Sequence, residues 1–138
     1  MIHLDNEGYP TEEVLDYIRN YDVTAQSVRP LIELIRSLWQ FRDWGFEIED
    51  HIDDFKSVDS VDSEPYYHKH KRLYISTGGW SGNESIIEAL RQNKWFFCLY
   101  WVQERRGGHF VFEISYKNWF KTKCKNKNEI LALTRCSK

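Results

Sequence analysis

Apolar residues recur at helical spacing in two stretches near the start of the chain. Val14, Leu15 and Ile18, joined by Tyr17 and Tyr21, form one stripe. Thr11 precedes it as an N-cap, and Glu12 and Glu13 fall in the first turn, so a helix is predicted through about Tyr21. Leu31, Leu34, Ile35, Leu38 and Trp39 form a second stripe. That helix starts near Ser27 with Pro30 in its first turn and stops before Gly45.

The pattern then changes character. From Phe46 to Pro65 acids and serines dominate, with the near-repeat Ser57-Val58-Asp59-Ser60-Val61-Asp62-Ser63, which predicts an acidic mobile loop over 50–65. Strand pattern resumes at Lys71–Thr77, and a helix over Asn83–Gln92 buries Ile86, Ile87 and Leu90. Trp95 to Val102 is apolar throughout, which predicts a central strand covered on both faces and running on to Glu104. A further strand spans His109–Tyr116. Gly107-Gly108 suits a two-residue hairpin turn, placing Arg106 opposite His109 and Val102 opposite Glu113. In that register Phe110, Phe112, Ile114 and Tyr116 share a core face with Arg105, Gln103, Trp101 and Leu99. Arg106, His109, Val111 and Glu113 occupy the other face. The fold class is therefore α+β: one domain over 1–138, with a small, mostly antiparallel sheet packed by two N-terminal helices and one connecting helix. A basic tail follows over 117–138, with a short helix expected around Asn128–Thr134.

With 138 residues the chain is long enough for one core without covalent staples. Six Trp within a 16% aromatic content leave rings to spare for a pocket or an interface. The net charge of −2 gives no global field that would favour nucleic acid or membrane. Its distribution is uneven, with nine acids against Lys56 alone from Asp43 to Glu64, and seven bases against Glu129 alone from Lys117 to Lys138. Cys98, Cys124 and Cys136 show no metal spacing, and the N-terminus has neither a basic nor an apolar signal region, so a reducing cytoplasm is the expected compartment. His68-Lys69-His70 aligns two imidazoles without an assured third ligand, and neither a metal nor a cofactor is expected.

The candidate chemistry lies between Leu73 and Ile114. Thr77-Gly78-Gly79-Trp80-Ser81-Gly82-Asn83-Glu84 leaves a strand and enters a helix. Its glycines let backbone approach a ligand, and first-turn N–H groups favour an anion. Ser81 and Glu84 have capping-box spacing, which accounts for their side chains without a ligand. Arg105 and Arg106 offer guanidinium forks suited to phosphate or carboxylate, and His109 is a candidate ligand contact or acid–base group.

These blocks also carry a resemblance. Tyr9-Pro10-Thr11-Glu12-Glu13, Trp39 with Asp43-Trp44-Gly45-Phe46, Ser76 to Glu84, and Arg105-Arg106-Gly107-Gly108-His109 with Phe112-Glu113 resemble a family of small proteins encoded in phage and prophage genomes. The likeness spans about Gly8 to Ile114, and the acidic loop and lysine-rich tail look like additions to it. It implies a viral accessory protein acting in bacterial cytoplasm, in counter-defence or another takeover role. Three functional expectations follow. The first is capture of a phosphorylated small molecule or nucleotide at the glycine loop, with Arg106 on phosphate and Trp80 on a base. The second is inhibition of a host nuclease or defence enzyme, the acidic loop mimicking nucleic acid. The third is a phosphoesterase or transferase using His109 with Glu84 or Glu113. A homo-oligomer is compatible with all three.

Overall fold

The computed structural model describes residues 1–52 and 69–121. Its elements run α1 (Glu12–Asn20), α2 (Arg29–Leu38), α3 (Arg42–Gly45), β1 (Phe46–Ile52), β2 (Lys69–Ser76), α4 (Ser81–Gln92), α5 (Lys94–Tyr100), β3 (Trp101–Arg105), β4 (His109–Ser115) and α6 (Tyr116–Trp119). The four strands form one antiparallel sheet in the order β1-β2-β4-β3. This is the expected α+β single domain.

Helix α1 forms where its stripe and cap foretold. Thr11 Oγ1 accepts from Val14 N at 3.2 Å, and Val14, Leu15 and Ile18 are buried. In α2, Leu31, Ile32, Ile35 and Leu38 are buried, with Pro30 in the first turn. These stripes meet Ile86, Ile87 and Leu90 of α4 and the inner side of the sheet, where Leu73, Ile75, Phe112 and Ile114 are buried. The sheet's outer side carries alternate positions: Glu47 and Glu49 of β1, Arg72, Tyr74 and Ser76 of β2, His109 and Glu113 of β4.

Three expectations need correction. Residues 46–52 are strand β1 and not loop; Phe46 and Ile48 alternate with Glu47 and Glu49, a period-two signal outweighed in the reading by acid content. The rest of the expected loop, 53–65, lies outside the described residues, as do His68, Cys124, Cys136 and the helix expected at Asn128–Thr134.

The run Trp95–Val102 is not a central strand. Phe96 and Tyr100, four residues apart, are buried on one face of α5, while Trp95 and Leu99 are exposed. Asn93 makes this helix. Its Oδ1 accepts from Phe96 N at 3.2 Å, and its Nδ2 donates to Ile18 O and Tyr21 O, both at 2.9 Å, tying the start of α5 to the end of α1. β3 follows as an exposed edge strand.

The hairpin register also differs. Arg105, not Arg106, stands opposite His109, and Arg106-Gly107-Gly108 form a three-residue turn with both glycines at positive φ. A bulge between Trp101 and Gln103 then sets Trp101 opposite Phe112, so Gln103 and Arg105 lie on the outer side with Val111 and His109. Tyr116 belongs to α6.

Tyr100 carries the buried polar atom left unsatisfied among the described side chains. Its ring is 4% exposed, its hydroxyl has no partner, and burial pushes its phenol up to about 12. Tyr100→Phe is therefore expected to stabilise the fold by about 1 kcal/mol at neutral pH. The pH dependence has a definite sign. Unfolded tyrosine ionises near 10 while Tyr100 stays protonated to about 12, so this residue's contribution to stability falls as pH rises through that window. Denaturant titrations at pH 7 and pH 11 should show the variant gaining more at the higher pH; an equal or smaller gain would mean that the hydroxyl finds a partner.

Candidate functional site

The end of β2 is where the two candidate blocks meet. Thr77, 2% exposed, donates its N–H to Gly108 O at 3.0 Å, joining the glycine loop to the hairpin turn. The contact is close enough that a Cβ on Gly108 would lie 2.2 Å from Thr77 Oγ1. One residue earlier on the outer face, Ser76 Oγ and His109 Nδ1 are hydrogen-bonded at 2.7 Å, and Arg105 stands directly across from His109. Thr77, Gly78, Arg105, Arg106 and His109 are thus brought to one end of the sheet, with Ser76 added.

On the other flank, α3 packs against the same loop. Gly78 has φ +63°, and a Cβ there would sit 2.9 Å from Phe41 Cδ2 and 3.1 Å from Trp44 Cη2. Phe41 and Trp44 stack at 5.3 Å between centroids with 19° between planes, and they are 41% and 60% exposed. Phe41 holds φ +66°, unusual for a residue with a side chain. Trp39 Nε1 donates to Ser76 O at 3.1 Å and fixes this corner to the core.

The second half of the predicted loop does other work. The N-cap of α4 is Trp80, whose side chain makes no capping bond, and Ser81 is already helical; its carbonyl accepts from Ser85 Oγ at 3.0 Å. The expected capping box is therefore not formed, because the helix begins one residue early for it. Trp80 stacks on Tyr9 at 5.0 Å and folds over Gly82, where a Cβ would lie 2.2 Å from its ring. Gly82 thus makes room for an indole, and one face of that indole is already covered. Asn83 is fully buried: Nδ2 donates to Gln40 O at 2.8 Å and Thr77 O at 3.1 Å, and Oδ1 accepts from Gln40 N at 3.0 Å. Glu84 is exposed, and Gly79, at φ +75°, faces open space.

Glu113 does not reach His109. It accepts from Arg72 Nε at 2.8 Å and from Arg72 Nη2, while Arg72 Nη1 approaches Tyr74 OH at 3.5 Å. Tyr74 in turn donates to Glu49 at 2.8 Å. The hydrogen bonds to Tyr74 and Glu113 hold the Arg72 guanidinium above its usual pKa. At the edge, Asp50 is held below the usual carboxylate range by Lys71 and by the Tyr116 hydroxyl. These carboxylates are partners of a structural network, not free acids.

Two cavities lie nearby, and neither is lined by the glycine loop or the hairpin. One, about 800 Å³, runs between α2 and β1 past Glu33, Arg36, Arg42 and Glu47. The other, about 420 Å³, opens beside Phe41 and Trp44, with Leu4 and Gly8 across from them.

Sequence reasoning missed Phe41, Trp44 and the pairing of Ser76 with His109. Ser76 opens the glycine block, but its pairing depends on a cross-strand neighbour; the positive φ of Phe41 has no sequence signal. No group of His, Cys, Asp or Glu among the described residues could hold a metal ion, and no described helix is long and apolar enough to cross a membrane. Comparison with protein-family models, curated proteins and solved structures finds no match to this chain.

Proposed function

We propose that this chain binds a phosphorylated small molecule or nucleotide at the end of β2, as a phage-type accessory protein with counter-defence as one use. The observation that carries the reading is the junction itself: Thr77 N–H to Gly108 O sets the Ser76–His109 pair beside Arg105. A guanidinium across the strands from a hydrogen-bonded imidazole and hydroxyl supplies donors of the kind a phosphate prefers. Arg106 follows in the adjoining turn as a second cation. Binding is favoured over acid–base chemistry by His109 with Glu113, because Glu113 is engaged by Arg72. The inhibitor reading rests on the acidic loop over 50–65, of which residues 53–65 lie outside the described residues.

The test is thermal stabilisation by inorganic triphosphate and by the four ribonucleoside triphosphates. Arg105→Ala is expected to weaken binding about tenfold, roughly 1.4 kcal/mol, and Arg106→Ala less. His109→Gln should weaken it by a smaller factor, since an amide still donates one hydrogen bond. Absence of any ligand-dependent rise in melting temperature in the parent chain would refute the reading.

A further inference from the structure

We infer that the Phe41–Trp44 pair is a stacking platform for the planar ring of the ligand, so that the bound molecule is a nucleotide and not a simple phosphate ester. This deepens the reading of the β2 end as a phosphate site and rests on it. Three observations point to a ring subsite. The two side chains are large and aromatic and stack nearly parallel, so one face of Trp44 rests on Phe41, while its 60% exposure leaves the rest of the indole to solvent. The platform is built at a cost, because Phe41 occupies the left-handed region, where a side chain is strained. A cavity of about 420 Å³ opens against both rings and is also lined by Arg42 and Asp43.

Position links the platform to the phosphate donors. Its rings press on Gly78, the residue after Thr77, and Gly45 at the end of α3 leaves only 2.8 Å between its Cβ position and Ser76 O. β1, which follows α3, flanks β2 on one side, and β4, which carries His109, flanks it on the other. His109 on β4 lies two interstrand spacings from β1, about 10 Å, and Arg105 on β3 a third, about 14 Å in all. A base stacked at Trp44 can therefore be connected through a ribose to a polyphosphate chain that runs past Ser76 and His109 toward Arg105. Gly78 keeps the path between them low, since any side chain there would collide with both rings. Stacking tolerates any base, so the platform selects for a nucleobase without choosing which one.

The test uses the full chain and three probes: inorganic triphosphate, the four ribonucleoside triphosphates, and the corresponding nucleosides, titrated calorimetrically and by tryptophan fluorescence. Trp44→Ala is expected to weaken the best nucleoside triphosphate about tenfold while leaving inorganic triphosphate within twofold. Trp44→Phe, which keeps a stacking ring, should recover most of the affinity. Arg105→Ala should weaken both phosphate probes. If Trp44→Ala leaves nucleotide affinity unchanged while Arg105→Ala still weakens it, the ring subsite is wrong and the phosphate site stands. If neither nucleotides nor triphosphate bind the parent chain, both readings fall together.

Discussion

Asn83→Ala is expected to cost about 3 kcal/mol of folding stability, a larger loss than most single substitutions produce. The residue is fully buried and makes three hydrogen bonds to backbone, two to Gln40 and one to Thr77. Alanine would leave one N–H and two carbonyls without their partner, at about 1 kcal/mol each. Asn83→Asp separates the contributions, because a carboxylate can still accept from Gln40 N but cannot donate to the two carbonyls, and its charge would be buried beside their negative ends. It should destabilise at least as much as alanine. Urea titration is the measurement, with a lowered midpoint at unchanged slope. A loss below about 1 kcal/mol for Asn83→Ala would mean that water reaches Gln40 and Thr77.

Asn83 also illustrates what was legible in the sequence and what was not. Local signals read correctly: the stripes of α1, α2 and α4, the Thr11 cap, and the alternation of Phe110, Phe112 and Ile114 each reflect a period that a short window contains. The failures share one cause, which is that a residue's meaning depended on a distant partner. Asn83 stands among glycines and looks like ligand chemistry, but its partners are 43 residues back and 6 residues back along the chain. Asn93 caps α5 while holding the end of α1, and without that anchor the run Trp95–Tyr100 reads as strand. β1 was hidden because its outer positions are acidic, and only pairing with β2 reveals that they alternate.

The candidate site divides along the same line. Its two blocks were recognisable, and their meeting at the end of β2 follows from β2 and β4 being neighbours, as Thr77 N–H to Gly108 O records. Which residues of each block face the junction was set by one residue of turn length. A two-residue turn would have put Arg106 across from His109; the three-residue turn puts Arg105 there. Trp80 is expected to stack on a base, but Gly82 is the hollow into which it folds and Tyr9 covers one face. Beside the same loop the more exposed indole is Trp44, from a segment with no glycine-rich signature.

The Gly108→Ala substitution should destabilise the fold by about 3 kcal/mol and remove phosphate binding at the same time. Gly108 has φ +78°, a region costing an L residue roughly 1 kcal/mol, and the new Cβ would lie 2.2 Å from Thr77 Oγ1. The Thr77 main chain cannot move away cheaply, since its N–H is bonded to Gly108 O and its carbonyl accepts from Trp80 N and Asn83 Nδ2, and rotating the buried side chain would bring Cγ2 or Oγ1 against the same Cβ. The hairpin must therefore lift from the glycine loop, separating the donors of β4 from the backbone of β2. Thr77→Ala removes the colliding oxygen and leaves the nearest Thr77 atom, Cβ, at 3.3 Å, a contact that a small shift can absorb. The double variant Gly108→Ala, Thr77→Ala should accordingly recover about 1–2 kcal/mol relative to the sum of the single losses, a coupling that denaturant titration of all four proteins measures directly. Ligand affinity should return with it if the hairpin has to sit against the loop to bind. Strict additivity of the two losses would show that the hairpin does not rest on Thr77, and the junction would then have no mechanical basis.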